Sequence, residues 1–105
     1  MIHNKVTSML GLAMKAGKLV SGEFLVENSV KDKSAKLVIL ADDCSDNTKK
    51  KFRNMTTYRE IPYFECLDKD ELGRCIGKEF RACVAVTDVG FATSIMKILK
   101  NNGGN

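Results

Sequence analysis

"GKLVSGEFLVENSVKDKSAKLVIL", residues 17–40, holds a strand, a glycine turn, a helix and a second strand in close succession. Lys18-Leu19-Val20 is a short extended piece. Ser21, Gly22 and Glu23 follow: a hydroxyl suited to capping a helix, a residue free to turn, and a carboxylate that meets the positive end of a helix dipole. Leu25, Val26 and Val30 fall at near-helical spacing, which predicts a helix to about Lys31. Leu37-Val38-Ile39-Leu40-Ala41 has no polar alternation. Such a run fits a strand covered on both faces by helices, so this stretch sets the class as α/β.

The same alternation continues outward. Val6, Met9, Leu10 and Ala13 predict a helix from about Asn4, as its cap, to Lys15, with Gly17 stopping it. Asp42, Asp43 and Ser45 end the buried strand and offer caps for a helix from Asp46 to about Thr56. Ile61 to Glu65 reads as a short strand, with Pro62 near its start where a missing donor is tolerated. Asp68 and Glu71 have capping-box spacing and open a helix to about Ile76. Ala82 to Thr87 is a second apolar, β-branched run. Asp88 caps a last helix with Ala92, Ile95, Met96 and Leu99 on one face, and "NNGGN", 101–105, reads as a disordered tail. The expected architecture is one domain over 1–105. It is a three-layer α/β/α sandwich around a small mixed, mostly parallel four-stranded sheet, centred on Leu37–Ala41 and Cys83–Val86.

Composition narrows the function. The chain has 105 residues, 44% of them hydrophobic, and a formal charge of +4. It contains no apolar run of about 18 residues, and its first residues lack a signal-peptide pattern, so a cytoplasmic protein without a membrane span is expected. Cys44, Cys66, Cys75 and Cys83 lack the paired spacing of a zinc knuckle or redox motif and read as reduced thiols with no metal. His3, the single histidine, sits near a terminus, away from any nucleophile pattern. No phosphate-loop or dinucleotide fingerprint is present, so no cofactor is expected. "DDCSD", 42–46, is either a carboxylate site or a set of helix caps. "KKKFR", 49–53, is either a polyanion patch or a solvated helix face. Phe24 either staples its helix to the core, the commoner role, or stacks on a base.

In an α/β sheet, function gathers where strands end and helices begin. Three junctions qualify here: Ser21 to Glu23, Asp42 to Asn47, and Gly77 to Ala82. A glycine at a helix start lets another backbone come close, and the free N–H groups there suit a phosphate.

Four segments add a resemblance that covers almost the whole chain. They are "GLAMKAGKLVSGE" (11–23), "AKLVILADDCSDNTKKK" (35–51), "IPYFECLDKDELGRCIGK" (61–78) and "ACVAVTDVGFA" (82–92). Together they resemble the ribosomal protein family that binds kink-turn RNA, in particular its small bacterial YlxQ-like branch. The resemblance implies RNA binding without catalysis, by a glycine turn and following helix that enter a widened major groove beside sheared G·A pairs. It also implies a loop before the last strand that covers a flipped-out nucleotide. By position, Gly22 matches the family glycine and Asp43 an acidic residue after the buried strand. Phe24 and Leu25 stand where asparagine and glutamate are usual, and Asn28 where lysine is usual. The expected RNA-binding set is Gly22, Glu23, Phe24, Asn28, Asp43, Lys78, Phe80 and Arg81. The expected partner is structured RNA, kink-turn-like or ribosomal, with association to the ribosome. The alternative is a protein-interaction module in which Phe24 and Leu25 form an apolar docking surface.

Overall fold

The computed structural model describes residues 2–103, and the side chains of residues 4–101; residues 104–105 of the expected tail and the side chain of His3 lie outside these. The elements are α1 (Ile2–Lys15), β1 (Leu19–Ser21), α2 (Glu23–Lys31), β2 (Leu37–Leu40), α3 (Asp46–Tyr58), β3 (Tyr63–Glu65), α4 (Lys69–Arg74), β4 (Cys83–Val86) and α5 (Val89–Gly103). Helix α1 begins before Asn4, so Asn4 is not its cap. Its end is as expected. Gly17 sits at φ 72, its N–H donates to the Met14 carbonyl at 3.1 Å, and the Lys18 N–H donates to the Ala13 carbonyl at 2.9 Å. Helix α5 runs on through Asn101 to Gly103, into the stretch read as tail.

Strand order is β1-β4-β2-β3. β4 runs antiparallel to both β1 and β2, and β2 alone runs parallel to β3. The sheet is therefore mixed, but not mostly parallel. Continuous apolar runs report burial on both faces and are silent about strand direction. In this chain α1 and α5 lie against each other on one side, and α2 and α3 pack on the other. The two central strands are β2 and β4, and every residue in them is buried, as their composition predicts. Phe52 of α3 and Leu10 of α1 are also fully buried.

Three of the expected caps are in place. Ser45 caps α3, accepting the Thr48 N–H at 3.2 Å. Asp68 and Glu71 complete a capping box: the Glu71 N–H donates to Asp68 Oδ1 at 2.8 Å and the Asp68 N–H to Glu71 Oε1 at 3.1 Å. The Phe91 N–H donates to Asp88 Oδ2 at 2.9 Å at the start of α5. Among the described residues, no helix is long and apolar enough to cross a membrane.

Candidate nucleic-acid interface

β1, β2 and β3 end, and β4 begins, at one edge of the sheet: Ser21 pairs with Val84, and Leu40 with both Cys83 and Glu65. This register brings together the junctions at 21–23, 42–47 and 77–82. The Gly22 N–H donates to the Cys83 carbonyl at 3.0 Å, and the Ala41 N–H to the Ala82 carbonyl at 2.8 Å. These backbone bonds hold the Gly22 turn and the end of β2 beside Ala82 and Cys83, where the third junction leads into β4.

Gly22 is the N-cap of α2, with φ 92 and ψ 151 and no side-chain cap. That conformation is essentially restricted to glycine. A Cβ built there meets no atom within 4 Å, so the backbone angle, not crowding inside the chain, requires glycine. The open space in front is what an approaching backbone needs. Ser21 is not the cap expected of it, because it completes β1 opposite Val84. Its Oγ instead accepts the Arg81 Nε–H at 3.1 Å. Arg81 also donates from Nη1 to the Phe80 carbonyl at 2.8 Å. The guanidinium therefore fastens the loop before β4 to the turn before α2, and joins two parts of the expected RNA set.

Phe24 is 75% exposed and Leu25 50%. Phe24 does not staple α2 to the core; Val26, Ser29 and Val30 form the buried face of that helix instead. Phe80 is 56% exposed. Its loop is held from behind. Gly77 at φ 79 ends the turn after α4, with the Lys78 N–H donating to the Gly73 carbonyl at 2.9 Å. A Cβ on Gly73 would lie 2.3 Å from the Phe80 Cα, so glycine lets this loop lie directly on α4. Glu23, Asn28 and Lys78 are exposed, and Arg81 is half-buried. Asp43 has internal work: its Oδ1 accepts the Lys69 N–H at 3.0 Å, which clips the loop after β2 to the start of α4.

Electrostatics at this end are mixed. Its loops and adjoining helical turns carry Glu23, Asp42, Asp43, Asp46, Asp68, Asp70, Glu71 and Glu79 against Lys49, Lys69, Arg74, Lys78 and Arg81. Asp43, Asp68 and Glu71 hold backbone N–H groups, so these acids serve the turns; within "DDCSD", Ser45 caps α3 as expected, whereas Asp43 holds the start of α4 instead. Within "KKKFR", Lys51 pairs with Glu27 of α2 at 2.9 Å and Arg53 with Glu65 at 2.7 Å, while Phe52 is core. Apart from Phe52, that run is a largely solvated helix face that carries two ion pairs. The bond from Lys51 holds the Glu27 carboxyl below the usual range. The four cysteines are free. Burial pushes the Cys66 and Cys83 thiols up to about 12, far from reactive thiolates. Among the described residues, no group of three or more His, Cys, Asp or Glu is placed to hold a metal ion.

Sequence reasoning missed Ser21 as the partner of Arg81 and Gly73 as the seat of Phe80. Gly73 had a signal: a glycine inside a short, well-capped helix costs stability and asks for a packing reason. The Ser21–Arg81 pair spans sixty positions of sequence and had none.

The chain matches the model of the "Ribosomal protein L7Ae/L30e/S12e/Gadd45 family" over residues 4–96. It is 47% identical over 91 residues to the "RNA-binding protein YlxQ" of Bacillus subtilis (strain 168), covering 87% of this chain and 91% of that one. It is 38% identical over 98 residues to the protein of the same name from Enterococcus faecium, covering 93% and 94%. Among solved structures, a protein of unknown function from Bacillus halodurans superposes with a TM-score of 0.88 at 35% identity, covering 91% of this chain and 97% of that one.

Proposed function

Because the chain belongs to the ribosomal protein L7Ae/L30e/S12e/Gadd45 family, we propose that it is a non-catalytic, cytoplasmic RNA-binding protein. Its partner is a structured RNA, kink-turn-like or ribosomal, bound at the sheet end that carries Gly22, and it associates with the ribosome through that RNA. One observation carries the site: an open glycine turn at a helix start lies beside a loop that presents Phe80, and Arg81 bonds the two together. Arg81 and Lys78 supply phosphate attraction, and Phe24 and Phe80 offer faces to unstacked bases. Glu23 and Asn28 are the exposed polar readers on α2. Phe24 and Leu25 offer no hydrogen bonds from their side chains, so discrimination among RNAs is weaker than a fully polar helix face gives.

A second reading has its own observation. Phe24 and Leu25 are adjacent, exposed and apolar, amid carboxylates. Such a surface suits a protein partner. The deciding experiment titrates the chain with kink-turn RNA and with a control lacking the G·A pairs, for wild type, Arg81→Ala and Gly22→Leu. RNA binding at this end predicts weaker binding by both variants. Unchanged affinity in both folded variants rejects the surface and favours the protein-docking reading.

A further inference from the structure

The opposite end of the sheet has a different charge. There β1 and β2 begin and β4 ends, with the Lys36 N–H donating to the Val86 carbonyl at 2.7 Å and the Thr87 N–H to the Lys18 carbonyl at 2.9 Å. Lys18 and Lys36 thus flank the central strand from either side, with backbones about 10 Å apart at two strand spacings. Lys15, Lys18, Lys31, Lys33, Lys36 and Arg59 lie in the loops and last helical turns of this end, against Asp32, Glu60 and Asp88.

Some of these charges have structural duties. Lys15 and Lys31 sit in last helical turns, where a cation meets the negative end of the dipole. Arg59 Nη1 donates to the Met55 carbonyl at 3.3 Å. The carboxylate of Asp32 accepts the Ser34 N–H at 2.9 Å, and that of Asp88 caps α5. Among the described residues, the side chains of Lys18 and Lys33 have no such duty, and that of Lys36 makes only a long, exposed bond. All three are exposed loop residues, and among the described residues none forms an ion pair. Lys36 Nζ donates to the Lys33 carbonyl at 3.5 Å. Lys33 stands at φ 64, where glycine is the ordinary residue after a helix. Like charges gathered on loops without partners repel one another, and an external polyanion removes that cost.

We propose that Lys18, Lys33 and Lys36 form a second RNA contact, which grips backbone phosphates without reading sequence. This rests on the RNA-binding reading above and adds a surface to it. The chain then holds RNA at both ends of its sheet, one end selecting shape and unpaired bases, the other supplying salt-sensitive attraction.

The test is the salt dependence of affinity. A continuous RNA duplex and a hairpin containing tandem G·A pairs are titrated into wild type and into the double variant Lys18→Gln/Lys36→Gln. Losing two phosphate contacts lowers the slope of log affinity against log salt by about 1.5–2, so wild type loses about tenfold more affinity than the variant between about 50 and 200 mM salt. The change is the same for both RNAs, because phosphates carry no sequence. Lys33→Gly is the second variant. It relieves a positive φ and removes a charge, so it melts at a higher temperature and binds RNA more weakly, with a reduced salt slope. A lysine kept only for structure does not give that pair of opposite signs. If both variants keep the wild-type slope while wild type binds RNA, this surface is wrong and the reading at the Gly22 end stands. If wild type binds neither RNA, both fail.

Discussion

Where β1, β2 and β3 end, the chain turns through Gly22, exposes Phe24, Leu25 and Phe80, and gathers carboxylates. Where β1 and β2 begin, it exposes lysines and passes through Lys33 at positive φ. Both ends belong to one small sheet, and both are made of loops a few residues long. The difference lies in what each conformation serves. At the first end, the Gly22 turn, the seat of the 77–82 loop on Gly73 and the bond from Arg81 to Ser21 hold two loops together, so shape is built there. At the second, helix-end and strand hydrogen bonds hold the loop backbones, and exposed lysine side chains carry charge. Shape at one end and charge at the other is a division suited to an RNA, whose fold and phosphates are separately recognisable.

Disturbing the built end from behind has the largest expected effect. Gly73→Ala puts a Cβ 2.3 Å from the Phe80 Cα, a contact that only backbone movement relieves. Overpacking of this kind is expected to cost about 3 kcal/mol, lowering Tm by more than about 10 °C. RNA affinity at the Gly22 end falls with it, and thermal melting with an RNA titration reads both. Gly22→Ala comes next. It meets no clash, so its cost is the backbone angle alone, about 1–3 kcal/mol in denaturant unfolding.

Phe24→Ala separates binding from stability. The ring is 75% exposed, so unfolding changes by less than about 0.5 kcal/mol. Affinity for RNA with unpaired bases falls by about 1–3 kcal/mol, and affinity for continuous duplex stays the same. Loss on both RNAs alike ends the stacking role.

The smallest effect lies at the edge strand. The Tyr63 hydroxyl donates to Glu65 Oε2 at 2.6 Å and Arg53 Nη2 to the same oxygen at 2.7 Å. The Tyr63 bond first, and then Arg53, hold the Glu65 carboxyl below its ordinary value of 4.5. A lowered folded pKa adds stability that is fully present above pH 4.5 and is lost as pH falls through the folded value. Glu65→Gln is expected to remove that part of the acid sensitivity, less than about 1 kcal/mol. Denaturant titrations at neutral pH and near pH 3 for the two chains measure it. A variant as acid-sensitive as wild type rejects the assignment to Glu65.

The sequence alone determined the α/β class, the burial of Leu37–Leu40 and Cys83–Val86 at the centre of the sheet, and the caps at Ser45, Asp68 and Asp88. These features depend on composition and on residues three or four apart, which the chain writes in order. It also marked Gly22 and the 77–82 loop as one place of interest. Strand direction was not legible, because an apolar run reads the same in a parallel and an antiparallel ladder. Nor was the outward ring of Phe24, since an aromatic beside Leu25 and Val26 has the same periodicity whichever side it faces. The bond from Arg81 to Ser21, the seat of Phe80 on Gly73 and the placing of Lys18 beside Lys36 across β4 were decided by tertiary structure alone. Each joins residues far apart in sequence, and their proximity exists only once the register of four strands is set.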